Sequence, residues 1–112
     1  MRDCLFCKII DGDVPAKKLY EDGSCFVFYD QSPQAPTHFL IVPKKHIPSA
    51  IDITEGDAQA VGHMFAVVAM LSRVLGFSDS YRIVTNYGPK AGQSVDHLHF
   101  HVLAGKELGT FN

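Results

Sequence analysis

Asp96-His97-Leu98-His99-Phe100-His101-Val102-Leu103 is the stretch that decides the fold, because three histidines alternate there with large apolar residues. An extended strand sends successive side chains to opposite faces. The alternation therefore predicts a β-strand with three imidazoles on one face and apolar residues packed in a core on the other. Since a strand rises about 3.3 Å per residue, neighbouring imidazoles would lie roughly 7 Å apart, which suits separate tasks for the three rings.

This histidine row, His97, His99 and His101, allows three interpretations from the residues alone. The first is a polar strand face without function, which is disfavoured because histidines held close together repel when charged. The second is a metal site built on His-x-His, although a catalytic zinc needs three protein ligands and an open position. The third is nucleophilic catalysis, in which one neutral imidazole attacks an electrophile while its neighbours orient it and stabilise charge.

The row and the segments upstream of it resemble a known family. Residues 97–103 follow the pattern His-φ-His-φ-His-φ-φ, where φ is apolar, of the histidine triad (HIT) superfamily. Residues 32–40, residues 43–46 and Gly92-Gln93-Ser94-Val95 are similar to its Hint branch, the histidine triad nucleotide-binding proteins. The resemblance covers nearly the whole chain in order, and it implies nucleotide binding and hydrolysis.

Length, composition and charge exclude several other classes. The chain has 112 residues, 46% of them hydrophobic, which predicts a single domain over residues 1–112. A formal net charge of −2 offers no basic patch for a nucleic-acid partner. No apolar run approaches the ~20 residues of a membrane span, and residues 1–4 lack the apolar region of a signal peptide. Three cysteines, an odd number, fit a reducing compartment, and we expect a cytoplasmic protein.

Cys4-Leu5-Phe6-Cys7 carries a second motif. Cys-x-x-Cys is either a redox pair or half of a tetrahedral zinc site, and two thiols without function are the alternative. The redox interpretation expects a preceding strand, which this sequence does not offer. By the resemblance, some bacterial histidine triad proteins hold a structural zinc with two such cysteines and two such histidines. The expected metal ligands are then Cys4, Cys7, His46 and His97.

Periodicity and turn residues predict the remaining elements. Strands are predicted at residues 18–21, 25–30, 37–43 and 81–86, with Asp22-Gly23-Ser24 as a hairpin turn. Residues 54–75 predict one long helix with a weak capping box and Gly76 as its end, and a short helix follows Asp3 as candidate cap. His63, in the long helix, is interpreted as a surface residue without a partner. Hairpin connections without βαβ repeats predict an α+β domain on a five-stranded, mainly antiparallel sheet.

The resemblance also implies a nucleotide site. Asp30, at a strand end, matches the position that accepts hydrogen bonds from ribose hydroxyls, although an acid there can equally mark the exit to solvent. The glycine-containing loop 87–94 can approach a ligand closely and bind phosphate through its N–H groups. The expected nucleotide-binding residues are Asp30, Gln31, Asn86, Gly92, Gln93, Ser94, His99 and His101.

The activity that the resemblance implies is hydrolysis of AMP or GMP phosphoramidates, and of acyl-adenylates, through a nucleotidyl-histidine. His99 would attack phosphorus as a neutral imidazole, and His101 with backbone N–H groups would stabilise the phosphate charge. Ser94 or His38 would help deliver a proton to the leaving amine, although His38 can also be a packed structural residue. No catalytic cofactor is expected. The expected catalytic residues are His99, His101, His38 and Ser94.

Two other functions stay open at this point. One is a dinucleoside polyphosphate hydrolase from another histidine triad branch, with the same nucleophile and a different leaving group. The other is a nucleotide-binding regulatory protein with vestigial catalysis, which the presence of all expected catalytic side chains disfavours. The resemblance further implies a homodimer whose two sheets join into one. Residues 106–112 lack the tryptophan found in the tail of several Hint proteins, so the sequence does not predict the leaving group or the purine base.

Overall fold

The computed structural model describes residues 3–111, so residues 1, 2 and 112 of the predicted domain lie outside the described part. The helices are α1 (Leu5–Ile10) and α2 (Ala58–Leu75), and the strands are β1 (Lys18–Glu21), β2 (Cys25–Tyr29), β3 (Thr37–Pro43), β4 (Arg82–Val84) and β5 (Phe100–Ala104). Short 3₁₀ turns lie at Ala50–Asp52, Glu55–Asp57 and Pro89–Ala91. The predicted α+β class, with one long and one short helix, is confirmed.

The strands β1 to β5 form one antiparallel sheet in the order β1-β2-β3-β5-β4. Strand β5, which carries the end of the histidine row, therefore lies inside the sheet between β3 and β4. Its His101 is paired with Leu40 of β3, and its Leu103 is paired with His38. This register brings His38 and His101 to the same face of the sheet, because directly paired residues point the same way.

Strand β5 begins at Phe100, later than the sequence pattern predicts, so His97 and His99 lie just before it. The reason lies in the hydrogen bonds of the preceding segment. The Leu98 amide donates to the Ile47 carbonyl at 2.6 Å, and the His99 carbonyl accepts from the Thr85 hydroxyl at 2.8 Å. These loop and side-chain partners keep residues 97–99 out of the regular strand ladder while leaving the histidines on one face.

Alternation along β2 separates two apolar clusters. Cys25 and Val27 point into the main core, which α2 covers, while Phe26 and Phe28 point into a smaller cluster under α1. The side chain of Cys25 is fully buried. The smaller cluster lies on the histidine face of the sheet, so helix α1 is packed beside the row.

Helix α2 ends where its sequence predicts, but it begins at Ala58 and not at residue 54, because a 3₁₀ turn at Glu55–Asp57 precedes it. The Thr54 amide donates to the Asp57 carboxylate at 3.0 Å and the Thr54 side chain accepts from the Asp57 amide, which forms the predicted capping box, and Gly76 ends the helix at a φ of 83°. Residues Glu55–Leu75 are long and apolar enough to cross a membrane by length and composition, which corrects our expectation of no such run. The helix buries Met64, Val67, Val68 and Leu71. A core helix that packs on a sheet can have the same length and apolar composition.

Helix α1 differs from the prediction at its cap. Cys4, and not Asp3, is the N-cap residue, and its Sγ accepts a hydrogen bond from the Cys7 amide at 3.4 Å. The thiol thus satisfies one of the amides that a helix start leaves without a partner. The helix buries Phe6, Cys7 and Ile9 and brings them to the histidine face.

Candidate active site and metal centre

A cavity of about 650 Å³ lies between α1, the end of β2 and the histidine row. Its polar lining includes His99 and His101 together with Asp30, Gln31 and Ser94. Its apolar lining, called the apolar wall below, is formed by Leu5, Phe6, Ile9, Val14, Phe28 and Leu40. A mainly apolar cleft with a few convergent polar groups is the usual form of a small-molecule site.

His99 is held in one tautomer by its own backbone neighbour. Its Nδ1 lies 2.7 Å from the carbonyl oxygen of His97, and since a carbonyl only accepts, Nδ1 carries the proton. In the neutral form of the ring this contact leaves Nε2 as the unprotonated nitrogen, which is the one that acts as a nucleophile. The side chain is only 6% exposed, and the ring of Phe6 packs edge-on against it at 5.1 Å between centroids.

Hydrogen bonds also fix the tautomers of His38 and His101. The Gln34 amide donates to His38 Nδ1 at 3.0 Å, so the His38 proton resides on Nε2. That nitrogen lies 3.0 Å from His101 Nδ1 and donates to it, which places the proton of His101 on its Nε2. Burial, with the nearby rings of His99 and His38, lowers the pKa of His101. His101 is thus a neutral N–H donor on the cavity wall, and His38 supports it from behind.

His97 turns away from the cavity and joins the two cysteines. Its Nε2 donates to the Pro43 carbonyl at 2.8 Å, so its Nδ1 presents a lone pair. Burial lowers the pKa of His97 to about 4, which keeps the ring neutral. Nδ1 lies 3.3 Å from Cys4 Sγ, 3.6 Å from Cys7 Sγ and 3.2 Å from His46 Nδ1.

These four residues, Cys4, Cys7, His46 and His97, are called the four-ligand centre below, and their ligand atoms all lie within 4.8 Å of one another. Zn–S bonds of about 2.3 Å and Zn–N bonds of about 2.0 Å give a tetrahedron with edges of about 3.3–3.8 Å. The observed separations match those edges, so the donor set fits a tetrahedral metal. Cys4 and His46 also line a cleft of about 510 Å³, which gives an ion a path from solvent.

Asp22 and His63 form a hydrogen-bonded pair that the sequence analysis missed. His63 Nε2 lies 2.7 Å from Asp22 Oδ2, so the prediction that His63 has no partner is wrong, although its side chain lies at the surface. Partial burial alone would raise the pKa of Asp22, but hydrogen bonds from His63, the Ser24 and Cys25 amides and the Tyr20 hydroxyl hold that pKa far below its usual range. The pair connects the β1–β2 turn to helix α2.

Two further groups of metal-ligating side chains do not fit a metal. Beside the Asp22–His63 pair, burial raises the pKa of the Cys25 thiol to about 12, so it stays protonated. In the group of Asp30, His38 and His101, the proton on His38 Nε2 occupies the nitrogen that would have to bind the ion. Within residues 3–111, the four-ligand centre is therefore the best metal candidate.

The cavity brings together only part of the predicted nucleotide site. Asp30, Gln31, Ser94, His99 and His101 line it, whereas His38, Asn86, Gly92 and Gln93 lie outside its lining. Gln93 instead holds the loop: its Oε1 accepts from the Gly88 amide at 2.9 Å, and its Nε2 donates to the Pro48 and Val95 carbonyls.

The sequence analysis did not identify the apolar wall as part of the site. The spacing of apolar residues in α1 and the alternating phenylalanines of β2 are recognisable in the sequence, but only as signs of packing. The exposure of Leu5, at 45%, shows that this packing is incomplete on the cavity side. The approach of α1 to the end of β2 is what converts these residues into a wall.

This fold and site define a class: α+β proteins in which a histidine row on an antiparallel sheet borders a small-molecule cavity. The HIT domain family matches residues 11–108, and the chain belongs to that family. The superfamily predicted from the histidine row is thereby confirmed.

Individual relatives match over most of their length. An uncharacterized HIT-like protein from Synechococcus elongatus is 41% identical over 106 residues, which are 95% of this chain and 93% of the relative. A histidine triad protein from Clostridium difficile is 42% identical with a TM-score of 0.96, covering 100% of this chain and 98% of that one. A HIT family hydrolase from Legionella pneumophila is 40% identical with a TM-score of 0.93, covering 96% of each chain.

A more distant structure is relevant to the assignment of this chain to the Hint branch. A histidine triad nucleotide-binding protein from Candida albicans is 32% identical with a TM-score of 0.83, covering 98% of this chain and 84% of that one. These comparisons confirm the predicted fold, while the assignment to the Hint branch stays a prediction.

Proposed function

We propose that this chain is a hydrolase of the Hint branch that cleaves the P–N bond of purine nucleoside phosphoramidates. The observation that carries the proposal is the 2.7 Å hydrogen bond between His99 Nδ1 and the His97 carbonyl. In the neutral ring it leaves Nε2 as the lone-pair donor, on a buried side chain that lines the cavity of about 650 Å³. The likeness to a HIT family hydrolase supports the reaction class.

The cavity offers complementary partners for the parts of a nucleotide. The carboxylate of Asp30 accepts hydrogen bonds, as ribose hydroxyls require, and Gln31 lies beside it. The rings of Phe6 and Phe28 form an apolar surface for a flat purine base. We propose that the phosphate lies between Ser94 and the imidazoles of His99 and His101, with Asn86, Gly92 and Gln93 shaping the loop around it.

The proposed reaction has two steps. His99 Nε2 bonds to phosphorus as the P–N bond breaks, and the leaving amine takes up a proton that Ser94 or His38 helps to deliver. Ser94 is the better placed of the two, because it lines the cavity. The N–H of His101 Nε2 donates to a phosphoryl oxygen and stabilises its charge. Water then cleaves the nucleotidyl-histidine, which releases AMP or GMP and restores neutral His99.

We propose that the four-ligand centre holds a structural zinc ion. Two cysteine and two histidine ligands fill a tetrahedron and leave no open position, so a metal there would supply folding stability and no catalytic step. The reaction above uses only side chains and backbone groups of this chain.

We also propose a homodimer in the cytoplasm. The sheet ends in the edge strands β1 and β4, and an edge strand presents backbone groups that can pair with a second chain. Helix α2 exposes Phe65 and Val74, at 50% and 70%, which offers apolar surface to a partner. The cytoplasmic location rests on the odd number of cysteines.

The test is a comparison of substrates with the purified wild-type protein. We expect hydrolysis of AMP and GMP phosphoramidates, with a nucleotidyl-histidine detectable by mass spectrometry after rapid acid quenching. Faster cleavage of a diadenosine polyphosphate would favour the alternative branch of the superfamily. Tight AMP binding without turnover of either substrate would favour a regulatory nucleotide-binding protein.

A further inference from the structure

Phe6 lies between the two cysteines of the four-ligand centre in sequence and against the nucleophile in space. Its ring packs edge-on against His99 at 5.1 Å with an interplanar angle of 89°, and against His97 at 5.9 Å. On its other side it packs against Phe28 at 5.4 Å. Phe6 is only 5% exposed, so this ring is a fixed neighbour of the His99 imidazole.

A second connection runs through the backbone of His97. The side chain of His97 belongs to the four-ligand centre, while its carbonyl oxygen accepts a hydrogen bond from His99 Nδ1 at 2.7 Å. The His99 ring also packs against His101 at 5.2 Å, but its contacts with the Phe6 ring and the His97 carbonyl both lead to the centre. Phe6 is held because Cys4 and Cys7 flank it on one helical turn, and His97 is held because it is itself a ligand.

Such support matters because the terminal torsion of a histidine side chain is broad. Rotation about that torsion moves Nε2 away from the line of attack and weakens the hydrogen bond at Nδ1. A displacement of the reacting atom by about 1 Å can cost on the order of a hundredfold in rate. An edge-on aromatic neighbour on one side and a carbonyl acceptor on the other restrict this rotation.

We propose that Phe6 is a positioning residue for His99, and that the four-ligand centre holds Phe6 and the His97 carbonyl in place for the nucleophile. The centre then influences the reaction rate as well as the stability of the fold. This inference rests on the proposed function only in taking His99 as the nucleophile.

The main experiment replaces Phe6 and compares it with a matched control. Phe26→Leu makes the same change in the same apolar cluster, at a residue outside the cavity lining. In zinc-loaded, substrate-free protein, long-range proton–nitrogen-15 NMR reports the tautomer of the His99 ring. We expect a single Nδ1–H form in the wild type and in Phe26→Leu, and a mixture of forms in Phe6→Leu.

Kinetics separate positioning from a role in binding the base. From the strength of an edge-on aromatic contact, we expect Phe6→Leu to lower kcat by about 2- to 10-fold. We expect Phe26→Leu to leave kcat unchanged. A Phe6→Leu protein with raised KM, unchanged kcat and an unchanged His99 tautomer would overturn the proposal, because Phe6 would then serve only as cavity wall.

Removal of zinc tests whether the four-ligand centre acts on His99 through Phe6. Removing zinc from the wild type should move the His99 ring signals in the same direction as Phe6→Leu does. Removing zinc from Phe6→Leu should then have a smaller effect on these signals, since one of the two connections is already lost. Equal effects in both proteins would overturn the coupling. If the zinc-free protein unfolds, the test rests on zinc-loaded protein alone. The His99 tautomer and kcat of Phe6→Leu, compared with those of Phe26→Leu, then decide whether Phe6 positions His99.

The NMR measurement needs no substrate, which keeps the two proposals separate. A Phe6-dependent tautomer in a protein without phosphoramidase activity would refute the proposed substrate and keep the positioning role. Full activity in both variants, with an unchanged tautomer, would refute the positioning role and keep the proposed function.

Discussion

The imidazole Nδ1 of His99 lies 2.7 Å from the carbonyl oxygen of His97, two residues earlier in the chain. This contact determines which nitrogen of His99 is available for chemistry, because the carbonyl can only accept a hydrogen bond and Nδ1 must donate it. The adjacent ring of His97 has the opposite assignment, with Nε2 donating to Pro43 and Nδ1 directed at the four-ligand centre. Neighbouring histidines of one row thus perform different tasks.

The first prediction concerns the nucleophile. His99→Ala should lower phosphoramidate hydrolysis at least about a thousandfold, because no covalent intermediate can form. AMP binding, measured by calorimetry, should persist because Asp30 and the apolar wall remain. His63→Ala, on helix α2, is the control that keeps full activity. An active His99→Ala protein would refute the mechanism.

The second prediction concerns His38. His38→Ala removes the N–H donor to His101 Nδ1, so the proton of His101 can move to that nitrogen and leave the phosphate without a donor. The loss of one such hydrogen bond corresponds to a fall in kcat of about tenfold. NMR of the His101 ring should show mixed tautomers in the variant. An unchanged His101 tautomer would show that His38 serves only in packing.

The third prediction concerns the metal. Protein purified without chelator should contain one zinc per chain, and Cys4→Ser should lower both the zinc content and Tm. Cys25→Ala is the matched control, because Cys25 lies outside the four-ligand centre and the variant should retain full zinc. Sub-stoichiometric zinc that persists after zinc supplementation would contradict the assignment.

The fourth prediction concerns the Asp22–His63 pair and its pH dependence. Because the pKa of Asp22 is lower in the folded chain, its contribution to stability is present above the unfolded value of about 4 and is lost as the pH falls further. Asp22→Asn should lower the free energy of unfolding by about 1–2 kcal/mol at neutral pH. Urea titrations should show the difference shrinking in acid, whereas exposed Asp79→Asn should have little effect at any pH.

The fifth prediction concerns assembly. Sedimentation velocity should give a dimer of the 12.3 kDa chain at micromolar concentration. Replacing two exposed apolar residues of α2, as in Phe65→Glu with Val74→Glu, should shift the protein toward monomer if this face is buried between chains. A monomer at every concentration of the wild type would contradict the proposed dimer.

Much of the fold could be predicted from local sequence patterns. The strands Lys18–Glu21 and Thr37–Pro43 and the end of α2 at Gly76 lie where the sequence predicts them. These features depend on periodicity and turn residues, which act over a few positions of the chain. The expected start of the histidine strand was too early, since the partners of residues 97–99 come from distant loops.

The sequence by itself determined that three imidazoles share one face, because alternation is a property of the extended backbone. It also predicted the family and the four residues that the structure brings together as a candidate metal centre. Only the tertiary structure decided which ring nitrogen carries each proton, since the carbonyl of Pro43 approaches His97 from 54 positions away in the chain. It likewise placed α1 over the cavity and paired Asp22 with His63, because these contacts join segments that no local pattern relates.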